Sequence, residues 1–175
     1  MLTRITIGTT QRTGSNLLLF ALAVHPLAIC GGEVCGEEAD AAPGHWLARS
    51  SGNWNLGKVF WCEKDKPGFL EALSSSCVVY LYREDREAQL RSWSKACATG
   101  EWLKEHVGPR CDLPENAAEQ IEEAAKLFRP NASLALSYEE LTADWSGSVQ
   151  RVLEAAGWPV IDLPKMIEKQ RSDTI

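Results

Sequence analysis

The sequence has no long hydrophobic run and no cluster of basic residues. Its longest apolar stretch is 17–24, whereas a transmembrane helix needs about 20 apolar residues. Eighteen Lys and Arg against 24 Asp and Glu give a net charge of -6, and no basic segment could follow a nucleic-acid backbone. We therefore expect neither a membrane span nor a nucleic-acid partner, and any anionic ligand must be held by a local site.

The six cysteines include no closely spaced C-x-x-C pair. A chain of this length can bury a sufficient core without disulfides, so we expect reduced cysteines, a cytoplasmic location and no metal site. The apolar stretch 17–24 could imitate a signal peptide. Polar residues at 9–16 precede it, however, and Ile29 rather than a small residue stands before Cys30, which argues against secretion.

The composition is that of a globular protein, with 45% hydrophobic and 24% charged residues. Neither an internal repeat nor a low-complexity linker divides the chain, which predicts a single domain over residues 1–175.

Strand and helix patterns alternate along this domain. The composition predicts a first strand at 4–9, a buried helix at 17–24, a continuous apolar strand at 77–82 and a helix at 85–99. Weaker patterns predict strands at 27–30, 58–62 and 133–137, helices at 114–128 and 148–156, and a loop at 31–57 with a helical turn near 45–48. This alternation predicts an α/β protein with a three-layer, P-loop-like fold and a mainly parallel central sheet.

A loop of small and polar residues, 11–16, connects the first predicted strand to the first helix. Such loops bind phosphate in α/β proteins because free backbone amides and the helix dipole converge there. The loop does not match the ATP and GTP pattern G-x-x-x-x-G-K-[ST], since Gly8 and Gly14 are six positions apart and Ser15-Asn16 replaces Lys-Ser/Thr. An ordinary nucleoside triphosphatase is therefore the weaker interpretation.

Arg12-Thr13-Gly14-Ser15-Asn16 resembles the first loop of sulfotransferases that use 3′-phosphoadenosine 5′-phosphosulfate (PAPS). Asn16 stands where that family usually has Ser or Thr. The resemblance implies that the loop, from Gln11 to Asn16, cradles the 5′-phosphosulfate, and that Arg12 contacts the group in transit.

A second segment is similar to the other phosphate motif of that family. Arg83 follows the buried strand and precedes a helix that carries Gln89 and Ser92, and then comes Thr99-Gly100-Glu101-Trp102, as in bacterial members resembling trehalose sulfotransferase. The resemblance implies that Arg83 and Ser92 bind the 3′-phosphate. Arginine suits this role because its planar fork can donate two charge-assisted hydrogen bonds to phosphate.

Three weaker similarities follow in the order of the family. Gly32-Glu33 after His25-Pro26 resembles a segment whose Glu lies beside the acceptor hydroxyl, although an ordinary acidic loop is an equal alternative. The Tyr138-Glu139 pair resembles another family segment and is expected to be structural. The C-terminal residues Lys169, Gln170 and Arg171 resemble a loop that closes over the cofactor.

The resemblance implies a sulfotransferase that moves the sulfuryl group of PAPS onto a hydroxyl of a small-molecule or glycan acceptor, leaves 3′-phosphoadenosine 5′-phosphate (PAP), and needs no metal. Arg12 would stabilise charge and Glu33 would act as the general base. Trp46 and Trp54 could stack on the acceptor or simply belong to the core. A P-loop-like kinase and a non-catalytic nucleotide-binding module stay open as alternatives, and the sequence specifies neither the acceptor nor the oligomeric state.

Overall fold

The computed structural model describes residues 3–34, 54–66, 68–103 and 106–161, with the backbone alone at Glu33, 103, 106 and 107. The strands are β1 (Arg4–Thr9), β2 (Cys30–Glu33), β3 (Leu56–Phe60), β4 (Ser76–Tyr82), β5 (Glu101–Leu103), β6 (His106–Val107) and β7 (Leu134–Ser137). The helices are α1 (Ser15–Ala23), α2 (Phe69–Ser74), α3 (Arg86–Thr99), α4 (Ala117–Phe128), α5 (Tyr138–Ala143) and α6 (Trp145–Ala155).

Five of the strands form one sheet in the order β2-β3-β1-β4-β7, and every neighbouring pair is parallel. The other two, β5 and β6, form a short antiparallel hairpin after α3. Parallel strands need crossover connections, and these lie on both faces of the sheet, as the core contacts show. The predicted α/β class with a parallel central sheet is confirmed.

Alternate residues of the central strand β1 face different layers of helices. Ile5 and Ile7 pack with α1 and α6 in one hydrophobic cluster, whereas Thr6 donates a hydrogen bond to the Ala72 carbonyl of α2 on the opposite face. A second cluster on that opposite face joins Tyr80 of β4 to Phe128 of α4. The sheet is therefore covered by helices on both faces, which gives three layers. Because both faces are buried, the strand sequences are almost continuously apolar.

Two strands differ from their predicted positions, each because of a neighbouring turn. The predicted strand 27–30 is replaced by β2, since the ring of His25 accepts a hydrogen bond from the Leu27 amide and keeps that segment in a turn. The predicted strand 58–62 corresponds to β3, which ends earlier because Trp61–Glu63 forms a 3₁₀ turn. The Glu63 carboxylate accepts a hydrogen bond from the Phe60 amide at 3.0 Å.

The starts of α3 and α6 are determined by capping side chains. Asp85 accepts a hydrogen bond from the Ala88 amide and so caps α3, which begins at Arg86. Asp144 accepts from the Gly147 amide, and α6 therefore begins at Trp145 rather than at the predicted 148. The helix predicted at 114–128 begins at Ala117. The short elements α2, α5 and the β5–β6 hairpin were not predicted, and the turn predicted at 45–48 lies outside the described residues.

In the part of the chain that the structure describes, every helix is too short or too polar to cross a lipid bilayer.

Gly8 lets α4 approach the sheet closely. A Cβ atom at this position would lie 2.5 Å from Cδ1 of Phe128, which is fully buried and stacked on Tyr80. We predict that Gly8→Ala lowers the free energy of unfolding by about 1–3 kcal/mol, because the Phe128 ring has no free space to move into. Urea unfolding measures this, and Phe128→Leu should relieve part of the cost in the double variant. An unchanged stability of Gly8→Ala would contradict the prediction.

Candidate functional site

The loop between β1 and α1 has an unusual backbone at two positions. Arg12 has a φ of 62°, in the left-handed region that costs energy for a residue with a side chain, and Gly14 has a φ of 82°. A Cβ atom at Gly14 would lie 2.7 Å from Cδ2 of Tyr138, so only glycine fits against this ring. The loop is therefore held tightly where it enters α1, with Ser15 and Asn16 as the first helical residues.

Buried polar side chains maintain this loop conformation. Gln89 of α3, with 1% of its surface exposed, donates hydrogen bonds to Thr10 Oγ1 at 2.9 Å and to the Gln11 carbonyl at 2.6 Å. The Thr13 hydroxyl contacts Thr9 Oγ1, and Thr9 also donates to the Leu81 carbonyl of β4. The conformation of the loop is thus set by α3 and β4 as well as by its own residues.

The guanidinium of Arg12 is held by two neutral acceptors. Its Nε donates to Ser92 Oγ of α3 at 3.0 Å, and its Nη1 donates to the Trp102 carbonyl of β5 at 2.7 Å. Ser92, which the sequence assigned to the same phosphate as Arg83, therefore lies directly against Arg12. The Ser92 hydroxyl hydrogen stays available for another acceptor.

Arg83 follows β4, the strand beside β1. Its guanidinium lies 4.7 Å from the centre of the Tyr138 ring, and its Nε is 3.7 Å from the Glu139 carboxylate, which is too long for a hydrogen bond. This buried Nε has no hydrogen-bond partner among the described residues. Arg83 thus forms an ion pair with Glu139, but its buried Nε is left without a hydrogen bond, which is costly and which a bound anion would satisfy.

Arg12 and Arg83 are close enough to repel each other. Burial lowers the pKa of Arg12, the charge of Arg83 lowers it further, and the neighbouring Tyr138 raises it. Arginine still stays protonated in proteins, so the repulsion is not relieved by loss of a proton. The arrangement therefore favours a bound anion between or beside the two guanidinium groups.

Lys58 brings a third positive charge to the loop, and the sequence analysis missed it. This lysine of β3 is 2% exposed, its Nζ donates to Asn16 Oδ1 at 2.6 Å, and it lies 4.8 Å from the centre of the Phe60 ring. In the sequence, the signal for a buried cation was a lysine within an otherwise apolar strand. Backbone pairing between β2 and β3 places Glu33 beside Lys58, and the Glu33 side chain lies outside the described part of the structure.

Tyr138 connects the two predicted phosphate motifs. Its ring lies against Gly14 on one side and beneath the Arg83 guanidinium, and its position is determined by the start of α5. Glu139, the next residue, accepts hydrogen bonds from the Glu84 and Asp85 amides at 3.0 and 3.4 Å, and so orients the turn after β4. Tyr138 and Glu139 therefore make structural contacts, as expected, and these contacts hold the loop after β1 and the turn after β4.

The remaining predicted residues divide into two groups. Trp54 packs against the core cluster and beneath the Arg4 guanidinium, 4.9 Å from the ring centre, which favours the core interpretation for this tryptophan. Trp46 and the C-terminal residues Lys169, Gln170 and Arg171 lie outside the described residues, so their predicted roles stay predictions.

No protein-family model matches this sequence, and no curated protein does. Among solved structures, the chain is similar to the crystal structure of a sulfotransferase from Alicyclobacillus acidocaldarius, with 12% sequence identity and a TM-score of 0.43. The alignment covers 99% of this chain and 91% of that chain. The function of this chain is therefore inferred from its own residues.

The two guanidinium groups predict binding of inorganic pyrophosphate at this loop. We expect Arg12→Gln and Arg83→Gln each to weaken pyrophosphate binding by about 10- to 100-fold, because each variant removes charge-assisted hydrogen bonds. Titration calorimetry at constant ionic strength measures the dissociation constants. Arg86→Gln is the matched control, since Arg86 is exposed on α3 and pairs with Glu122 at 3.2 Å. Equal loss of affinity in all three variants would mean non-specific attraction rather than a site.

Proposed function

We propose that this protein is a PAPS-dependent sulfotransferase that transfers the sulfuryl group to a hydroxyl of a small-molecule or glycan acceptor. The observation that carries the proposal is the pair formed by Arg12 and Arg83. Arg12 follows β1 and Arg83 follows β4, and these two strands are adjacent and parallel. The Tyr138 ring lies between the loop after β1 and the side chain of Arg83. Ligands of open α/β sheets bind at the carboxyl ends of the strands, where both residues lie.

The residues present fit a nucleotide with phosphate groups at two positions. The loop amides at the start of α1 and the Arg12 guanidinium suit the 5′-phosphosulfate, because free amides and the helix dipole favour an anion. Arg83, whose buried Nε lacks a hydrogen-bond partner among the described residues, suits the 3′-phosphate. The Ser92 hydroxyl can accept a hydrogen bond from Arg12 and donate its own hydrogen to a phosphate oxygen, so it can contact Arg12 and the nucleotide at the same time.

The chain's own groups support transfer chiefly by positioning and by stabilising charge. The acceptor oxygen forms a bond to sulfur while the bond from sulfur to the phosphate oxygen breaks, with the three atoms in line, as in phosphoryl transfer. Arg12 and the loop amides stabilise the charge that develops on the sulfuryl and leaving-phosphate oxygens. The Lys58 ammonium group contacts Asn16 in the first turn of α1.

Glu33 is the proposed general base, and this assignment rests on the sequence resemblance and on its place in the sheet. It ends β2, and its backbone pairs with Lys58, the lysine that contacts the loop. A carboxylate at this edge of the sheet can take the proton of the acceptor hydroxyl as the oxygen attacks.

Cofactor identity is the first test of the proposal. PAP should stabilise the protein more than ADP does, because only PAP has a 3′-phosphate for Arg83. Arg83→Ala should weaken PAP binding by about 1.5–3 kcal/mol and leave ADP binding nearly unchanged. Thermal-shift titrations with both nucleotides measure this, and Arg86→Ala serves as the exposed control. Equal affinities for PAP and ADP in the unaltered protein would favour the kinase or the general nucleotide-binding alternative.

Turnover tests the proposed base. Glu33→Gln keeps the size of the side chain but cannot take a proton, so we expect turnover to fall by roughly 100- to 10,000-fold while PAP binding is retained. Transfer of labelled sulfate from PAPS to a panel of hydroxyl acceptors measures the rate. Glu71→Gln, on the exposed side of α2, is the matched control. Wild-type turnover of Glu33→Gln would mean that another group accepts the proton.

A further inference from the structure

Two cysteines, Cys97 of α3 and Cys111, face each other near the end of α3. The Sγ atoms of Cys97 and Cys111 lie 2.7 Å apart, and the Cys111 amide donates a hydrogen bond to the Cys97 carbonyl at 3.0 Å. The backbone contact fixes the relative positions of the two residues, so a small rotation of the side chains brings the sulfurs to bonding distance. Neither thiol belongs to the anion site described above.

The segment between these cysteines contains the hairpin that holds Arg12. It includes β5 and β6, and the Trp102 carbonyl of β5 accepts the hydrogen bond from Arg12 Nη1. The hairpin is closed by a bond from the Gly108 amide to the Gly100 carbonyl at 2.7 Å, and the Trp102 indole donates to the Pro109 carbonyl. A covalent bond between Cys97 and Cys111 would therefore enclose the whole hairpin.

The two thiols differ in access to solvent. Cys97 is 1% exposed and packs with Trp93, whereas Cys111 is exposed. Burial, together with the neighbouring Cys111, raises the pKa of the Cys97 thiol to about 11. A reagent in solution therefore reaches Cys111 first, and Cys97 is placed to attack only once its neighbour has been modified.

We propose that Cys97 and Cys111 form a reversible disulfide by exchange with a low-molecular-weight disulfide such as oxidised glutathione. The Cys111 thiolate attacks one glutathione sulfur, forms a mixed disulfide and releases one reduced glutathione. Cys97 then gives up its proton and attacks Cys111 Sγ, which releases the second reduced glutathione. Two cysteine thiols are oxidised, one glutathione disulfide is reduced, and both thiol protons end on glutathione.

Thiol counting and peptide mapping test the exchange. Fully reduced protein has six thiols, and incubation with oxidised glutathione should remove two of them, with a cross-link between the peptides containing Cys97 and Cys111. Because the cross-link closes a 15-residue loop, the melting temperature should rise by roughly 5–10 °C. Exchange of the Gly108 amide hydrogen should slow, and dithiothreitol should reverse all of these effects.

Three variants separate this pair from the other cysteines. Cys62→Ser removes another exposed thiol and should keep the cross-link, whereas Cys111→Ser should lose it and show no glutathione adduct at Cys97. Cys97→Ala should stop at a stable glutathione adduct on Cys111, which shows that the first step occurs without the second. Retention of all six thiols, a cross-link between other cysteines, or an adduct on Cys111 that persists in the unaltered protein would overturn the proposal.

Discussion

The packing of Tyr138 against Gly14 is the contact on which the site depends. It brings the end of β7 to the loop after β1 and leaves the Tyr138 ring beneath Arg83, which follows β4. The pairing of β1 with β4 places Arg12 and Arg83 at one edge of the sheet, but without a glycine at position 14 the loop could not lie against the ring beneath Arg83. A contact between residues more than 120 positions apart thus connects the two segments that carry the cations.

Several features of this edge oppose folding, and the core of the sheet must offset them. Arg12 has a left-handed backbone, Arg12 and Arg83 repel each other, and the buried oxygen of Gln89 lacks a partner among the described residues. The left-handed backbone and the unpartnered buried oxygen each cost about 1–3 kcal/mol. Arg12 and Arg83 follow β1 and β4, whose middle residues are almost fully buried between the two helical layers. Strain at a site on rigid strands is typical of residues kept for binding.

The sequence predicted what depends on local pattern. The continuous apolar run of β4 and the glycine-containing loop after β1 are visible as patterns, so the class of fold and the positions of Arg12 and Arg83 could be predicted. The burial of Lys58 could not be predicted, because a single lysine in a strand ordinarily points to solvent. Its buried position involves a hydrogen bond to Asn16, which lies 42 positions away in the chain. The contact of Ser92 with Arg12 likewise needs the position of α3, which no local pattern contains.

The hydrogen-bond partners of Arg12 are neutral, which explains how an acidic protein can contain a candidate anion site with positive charge. A carboxylate beside Arg12 would cancel the charge of the guanidinium. The described hydrogen bonds of Arg12 go instead to the Ser92 hydroxyl and the Trp102 carbonyl, which orient the guanidinium and leave its charge intact. Glu139 accepts hydrogen bonds from the amides of Glu84 and Asp85 and also forms an ion pair with Arg83 at 3.7 Å, so it offsets part of the Arg83 charge and leaves that of Arg12. Because exposed charges beyond about 8–10 Å are screened by salt, the net charge of -6 weakens this local field little.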